Sequence, residues 1–155
     1  EPAAALPYLP GVARLDRYWT AAHIARDETP LAPGVVAGLD TEALARCILR
    51  PHASARWAYF GDAPVATIWR CNREDDAQAL TDIEWRGEGL LLVRPDAAVE
   101  AIELEQAGCA FMSACAEGEA LADAAARSLA LDANTDLAGL MARLLGAGAF
   151  GGLAA

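Results

Sequence analysis

Lysine is absent from the 155 residues: all 12 basic side chains are arginine and they face 22 acids, a formal net charge of −10. So large a deficit of positive charge argues against a phosphate-binding surface. The arginine-only bias, with aromatics at 6%, reads as nucleotide composition and carries no function. Long apolar runs are also missing. The longest charge-free stretches, 2–13 and 144–155, are short and broken by Pro or Gly, which excludes a transmembrane helix. The amino terminus has neither a basic region nor an apolar stretch of signal-peptide type, so a cytoplasmic location is expected. The chain opens on Glu1 rather than Met, which leads us to expect a trimmed chain or fragment with material upstream.

Catalytic signatures are lacking: no GxSxG, HExxH, Walker or GxGxxG sequence occurs, so enzyme activity is not indicated and no cofactor is expected. His23 and His52 fall on different predicted elements. His23 and Asp27 share a predicted helix face, but two ligands do not make a metal site, and an ion pair is the commoner use of that spacing. Cys47, Cys71, Cys109 and Cys115 form no CxxC pair. The last two diverge around one predicted helix, so buried free thiols are expected. Core placement is the default for Trp19, Trp57, Trp69 and Trp85.

What is present is a 55% hydrophobic chain, long enough to bury roughly 70% of its unfolded surface. Spacings of three and four predict an amphipathic helix over Gly11–Arg26, and Pro and Gly predict a connector over Asp27–Gly38. Leu44–Phe60 reads as two strands, and Asp62 as the start of a helix running to Asn72. The polar stretch Glu74–Gln78 then separates portions of unequal charge. Up to Leu80 there are 8 Arg against 10 acids (−2), and beyond it 4 against 12 (−8).

The second portion predicts strands at Asp82–Arg86, Leu90–Val93 and Val99–Leu104, then helices Gln106–Ala116 and about 119–129 across a glycine turn. A third helix, capped near Asn134 or Thr135, places Leu137, Leu140, Met141, Leu144 and Leu145 in one stripe. The expected fold is α+β: a helical and short-strand portion, 1–78, then a winged-helix module, 79–155, of a three-stranded antiparallel meander plus three helices. A winged helix invites a DNA-binding transcriptional regulator, but the candidate recognition helix carries Glu119 and Asp123 against a lone Arg127. Peptide recognition at the strand edge Val99–Leu104 beside the 137–144 stripe suits the charge better. For Leu140 and Leu144 a plain core role is expected. A third possibility is an oligomeric scaffold docking through the apolar tail Leu144–Leu153.

The runs LPYLPGVARLDRYWTAAHIARDETPL (Leu6–Leu31) and LRPHASARWAYFGDAPVATIWRCNRED (Leu49–Asp75), with a spaced pattern of Pro7, Leu15, Asp27, Pro30, Leu31, His52, Pro64 and Trp69, resemble the HvfC/BufC proteins. The resemblance extends over nearly the whole chain. Members of that family carry an upstream helical domain of on the order of 90 residues. The resemblance implies a non-catalytic partner of multinuclear non-haem iron oxidative enzymes that modify cysteines in ribosomally made precursor peptides, including copper-buffering bufferins. It implies that the precursor's leader adds as a strand at the sheet edge. The peptide-binding residues so implied are Val99, Glu100 and Ile102 on the strand, and Leu137, Met141 and Arg143 on the third helix. Neither nucleic acid nor membrane is an expected partner, and no metal ligand is assigned.

Overall fold

The computed structural model describes residues 6–76 and 78–155. Helix α1 (Leu9–His23) enters through Pro10 and buries Leu15 and Ala22. The connector holds two short helices, α2 (Pro33–Ala37) and α3 (Thr41–Arg46), the second capped by the Asp40 carboxylate accepting from Ala43 N–H. Strands β1 (Ile48–Pro51) and β2 (Arg56–Phe60) follow, then α4 (Val65–Glu74). Asp62 makes no capping bond to α4; Glu88 reaches across and accepts from the Thr67 N–H instead, at 2.8 Å. Strands β3 (Glu88–Val93) and β4 (Glu100–Leu104) lead into α5 (Gln106–Ala116), α6 (Leu121–Leu131), α7 (Leu137–Gly146) and β5 (Phe150–Ala154). The described residues thus form an α+β protein of seven α-helices and two small antiparallel sheets, β1-β5 and β2-β3-β4.

Several expectations need correction. Asp82–Arg86 is not a strand, and β2 occupies the place beside β3 expected for it. Its one apolar aliphatic residue, Ile83, stands among exposed charged neighbours, whereas β2 can cover both faces: Ala58 is buried, while Trp57 and Tyr59 pack on the larger core. The apolar tail does not project for another subunit, because Phe150–Ala154 pairs with β1 from Pro51 to Ile48. Trp85 is 58% exposed, in edge contact with Tyr8, rather than in the core. The third helix is capped by Asp136, whose carboxylate accepts from Gly139 N–H, not by Asn134 or Thr135. Both sheets combine strands from either side of residue 78.

β3 is the centre of the molecule. Leu90, Leu91, Leu92 and Val93 are all fully buried, as a strand covered on both faces requires. Leu90 and Leu92 join Leu15, Val65, Ala66 and Trp69 in a small core under α1 and α4. Leu91 and Val93 face the larger core with Phe111, Met112, Leu140, Leu144 and Phe150. The α5–α6 hairpin closes that core over a turn at Gly118 (φ 81°), with Ser128 Oγ donating to the Ala107 carbonyl at 2.9 Å.

Candidate peptide edge on the third strand of the sheet

β4 pairs with β3 on one side, and among the described residues no strand lies on its other side. Glu100, Ile102 and Leu104 stand opposite Val93, Leu91 and Gly89, and Ala101 and Glu103 opposite Leu92 and Leu90. The Leu104 carbonyl is turned towards β3, since a methyl carbon on Gly89 would overlap its oxygen. Successive carbonyls along a strand point to opposite edges, so the main-chain groups of Ala101 and Glu103 face outward. Arg143 of α7 confirms the direction by donating from its guanidinium to the Glu103 carbonyl.

α7 meets β4 over α5, where a methyl on Gly108 would lie 3.3 Å from Leu140 Cδ1 and 3.4 Å from Leu104 Cδ2. Leu140 and Leu144 are buried, as expected of core residues. Ile102, Leu137 and Met141 are half-buried on the same core. Of the six expected residues, Ile102 on β4 and Arg143 on the Glu103 carbonyl stand at the edge, whereas Leu137 and Met141 lie on α7 against the larger core, and Met141, two residues from Arg143, is on the opposite side of that helix. Glu100 is exposed at the start of β4. Val99 is a correction, because it precedes β4 and packs into the small core with α1 and α4. Strand alternation puts it on the face opposite Ile102.

The edge is acidic. Glu100, Glu103 and Glu105 are exposed along it, with Glu103 paired to Arg70 of α4. Beyond Glu103 the edge runs into a cavity of about 450 Å³ lined by Tyr59, Arg86, Glu103, Glu105, Leu131 and Arg143. Its walls come from separate elements, so no local pattern announced it. On α6, Arg127 is held by Glu117 at 2.6 Å and Glu119 at 3.0 Å.

A second polar assembly, also unforeseen, joins the end of α1 to both sheets. Glu28, 9% exposed, receives Arg50 at 2.8 Å and the Ala53 N–H at 2.7 Å. His52 is buried and donates from Nε2 to the Glu28 carbonyl at 2.8 Å, which leaves Nδ1 to accept from Ser54 Oγ at 2.8 Å. Ser54 Oγ accepts the Arg94 N–H at 2.7 Å. Every buried side-chain nitrogen or oxygen among the described residues has a partner, so the assembly is structural. His23 and Asp27 are not neighbours on one helix: His23 stacks on Trp19 and Asp27 pairs with Arg94.

Arg50 and the Ala53 N–H hold the Glu28 carboxyl down to about 2, from 4.5. A depressed carboxylate contributes its full stability above the unfolded value and loses it as pH falls through the folded one. Water reaches Arg50, so we expect a loss of about 2 kcal/mol between pH 5 and pH 2 from this group. Urea unfolding at both pH values should show Glu28→Gln less stable than wild type at pH 5 and equal to it near pH 2.

All four cysteines are free and buried, and burial pushes the Cys109 and Cys115 thiols up to about 12. The thiolate is the reactive form, so at pH 8 a disulfide reagent should modify them only at the rate of unfolding. Rapid labelling of the native protein would contradict this placement. Among the described residues no three His, Cys, Asp or Glu side chains gather to hold a metal ion, and no helix is long and apolar enough to cross a membrane. Searches of protein families, curated proteins and solved structures find no match to the chain.

Proposed function

We propose that this chain is a non-catalytic, cytoplasmic adaptor that binds the leader of a ribosomally made precursor peptide and presents it to a multinuclear non-haem iron oxidative enzyme. The observation that carries the reading is the open edge of β4, with half-buried Ile102 on the strand and Arg143 of α7 at the Glu103 carbonyl. In this reading β2-β3-β4 with α5, α6 and α7 works as a winged-helix-like recognition module, although one of its strands comes from the first portion of the chain. The leader pairs with the outward groups of Ala101 and Glu103, and its alternate side chains lie beside Ile102. The resemblance to HvfC/BufC proteins supplies the enzyme and the class of peptide. Tethering a leader beside the iron enzyme raises the local concentration of the cysteines to about millimolar, so the adaptor needs no catalytic group. The acidic edge favours leaders with basic residues.

The test is calorimetric titration with a leader-only peptide from the neighbouring precursor, alongside co-purification with the iron enzyme. Proline at Ala101 removes an outward donor and leaves the β3 ladder intact, whereas proline at Ile102 would break that ladder. We expect low-micromolar binding that weakens at least about tenfold in Ala101→Pro and weakens with added salt. Binding that persists at full strength in Ala101→Pro would rule out strand addition. Salt-sensitive binding to duplex DNA, with none to leader or enzyme, would favour the winged-helix regulator that the α5–α6 hairpin also suggests.

A further inference from the structure

We propose that Arg143 is a latch on the strand edge: its guanidinium occupies the Glu103 carbonyl until an incoming peptide strand supplies a main-chain N–H in its place. The inference rests on the strand-addition reading and reverses the role expected for Arg143 as a simple contact. Glu103 carries one of the outward carbonyls of a five-residue edge strand, so a peptide reaching the α7 end of β4 needs that acceptor. Arg143 already holds it from one helical turn beyond Leu140. The guanidinium is exposed, and no ion pair to a described carboxylate engages it. It therefore spends its donors on a neutral main-chain oxygen at an otherwise open edge. Long cationic side chains laid on a strand edge are a known way to keep that edge from pairing with the wrong strand. Release is inexpensive, because water replaces the carbonyl as the guanidinium's acceptor. Once released, Arg143 swings over the adjoining cavity it already lines with Glu103, Glu105 and Leu131.

The two roles predict opposite signs. A contact residue loses affinity when truncated; a latch gains it. The experiment titrates the leader-only peptide into wild type, Arg143→Ala, Arg143→Gln and Arg46→Ala, the last removing an equal charge from exposed α3. We expect Arg143→Ala to bind about fivefold tighter, from the removal of one competing hydrogen bond, and Arg143→Gln, which keeps a weaker donor, to fall between. Arg46→Ala should match wild type, which separates release of the edge from a change in net charge. If wild type binds and Arg143→Ala binds equally or more weakly, the latch is overturned while strand addition stands. If Arg46→Ala gains as much, the effect is net charge and the latch is again overturned. If wild type and all variants fail to bind, strand addition itself fails and the latch with it. Arg143→Gln keeps the test intact should Arg143→Ala unfold.

Discussion

Alanine at Gly89 is expected to cost the protein about 3 kcal/mol and valine more, with leader binding lost in both. Gly89 sits between Tyr59 of β2 and Leu104 of β4. A methyl carbon there would overlap the Leu104 carbonyl oxygen and come within 2.8 Å of Cys109 Sγ. The first obstacle is backbone, which cannot turn aside as a flexible side chain does. β3 and β4 must separate at that end, giving up ladder hydrogen bonds worth about 1 kcal/mol each and disturbing the seat of α5, while the inserted methyl adds the usual penalty of an overfilled core. Because Glu103 is the next residue on β4, the outward edge loses its register as well. Gly34 is the control, since nothing lies within 4 Å of a methyl there. It stands inside α2, where Gly→Ala at a compatible site stabilises by about 0.5 kcal/mol. Urea unfolding of the two alanine variants checks the contrast. A Gly89→Ala protein within 1 kcal/mol of wild type would mean that the close approach of β4 is relaxed in solution.

The elements that could be read from sequence are those whose pattern is local. α5 lies at Gln106–Ala116, where the Glu-Gly-Glu turn ends it, and α7 presents the stripe Leu137, Leu140, Met141, Leu144 and Leu145 to the core. Leu90–Val93 reads as a buried strand because four apolar residues in succession need cover on both faces. Pairing partners do not show in local pattern. Trp57 and Tyr59 suit a strand, but nothing near them says that β2 lies against β3 some 30 residues on. Phe150–Ala154 contains two glycines and no alternation, and becomes a strand only because β1 offers it a partner.

The candidate site divides in the same way. That β4 is a strand and α7 an apolar helix was legible from alternation and from the stripe. That they meet, through Leu104, Gly108 and Leu140, is a tertiary fact. The direction of the outward carbonyls, and hence the significance of Arg143 and the choice of Ala101 over Ile102 for proline, depends on the register with β3. Val99 packs into the small core because, three residues before Ile102, strand alternation places it on the opposite face. The assembly around Glu28, His52 and Arg94 joins residues too far apart in sequence for any spacing to reveal.

Arg94→Ala should destabilise the protein by about 3 kcal/mol, far beyond the ordinary worth of a surface arginine. Its side chain is 11% exposed and makes four bonds that converge on the end of β3. Nε donates to the Ala22 carbonyl at 3.3 Å, Nη2 to that of Ala25 at 2.6 Å, and Nη1 to the Asp96 carbonyl at 3.0 Å and Asp27 Oδ1 at 2.8 Å. One of these acceptors, the Ala22 carbonyl, is in the last turn of α1, where helix carbonyls have no partner of their own, and another, that of Ala25, lies just beyond it. Truncation leaves them without their donor, and it removes a side chain that pins the end of α1 to β3 through both Ala22 and Ala25. The ion pair contributes the least, because Asp27 is 93% exposed and a pair so open to water is worth about 0.5 kcal/mol. Asp27→Asn should therefore change stability little. Arg94→Lys should fall between, since one ammonium cannot span the separate acceptors that the planar guanidinium reaches. Chemical unfolding of the three variants at pH 7 decides the matter. Equal losses in Asp27→Asn and Arg94→Ala would place the energy in the ion pair and refute the carbonyl clamp. A loss in Arg94→Ala alone, with Arg94→Lys partial, would place it in the main-chain oxygens of Ala22 and Ala25.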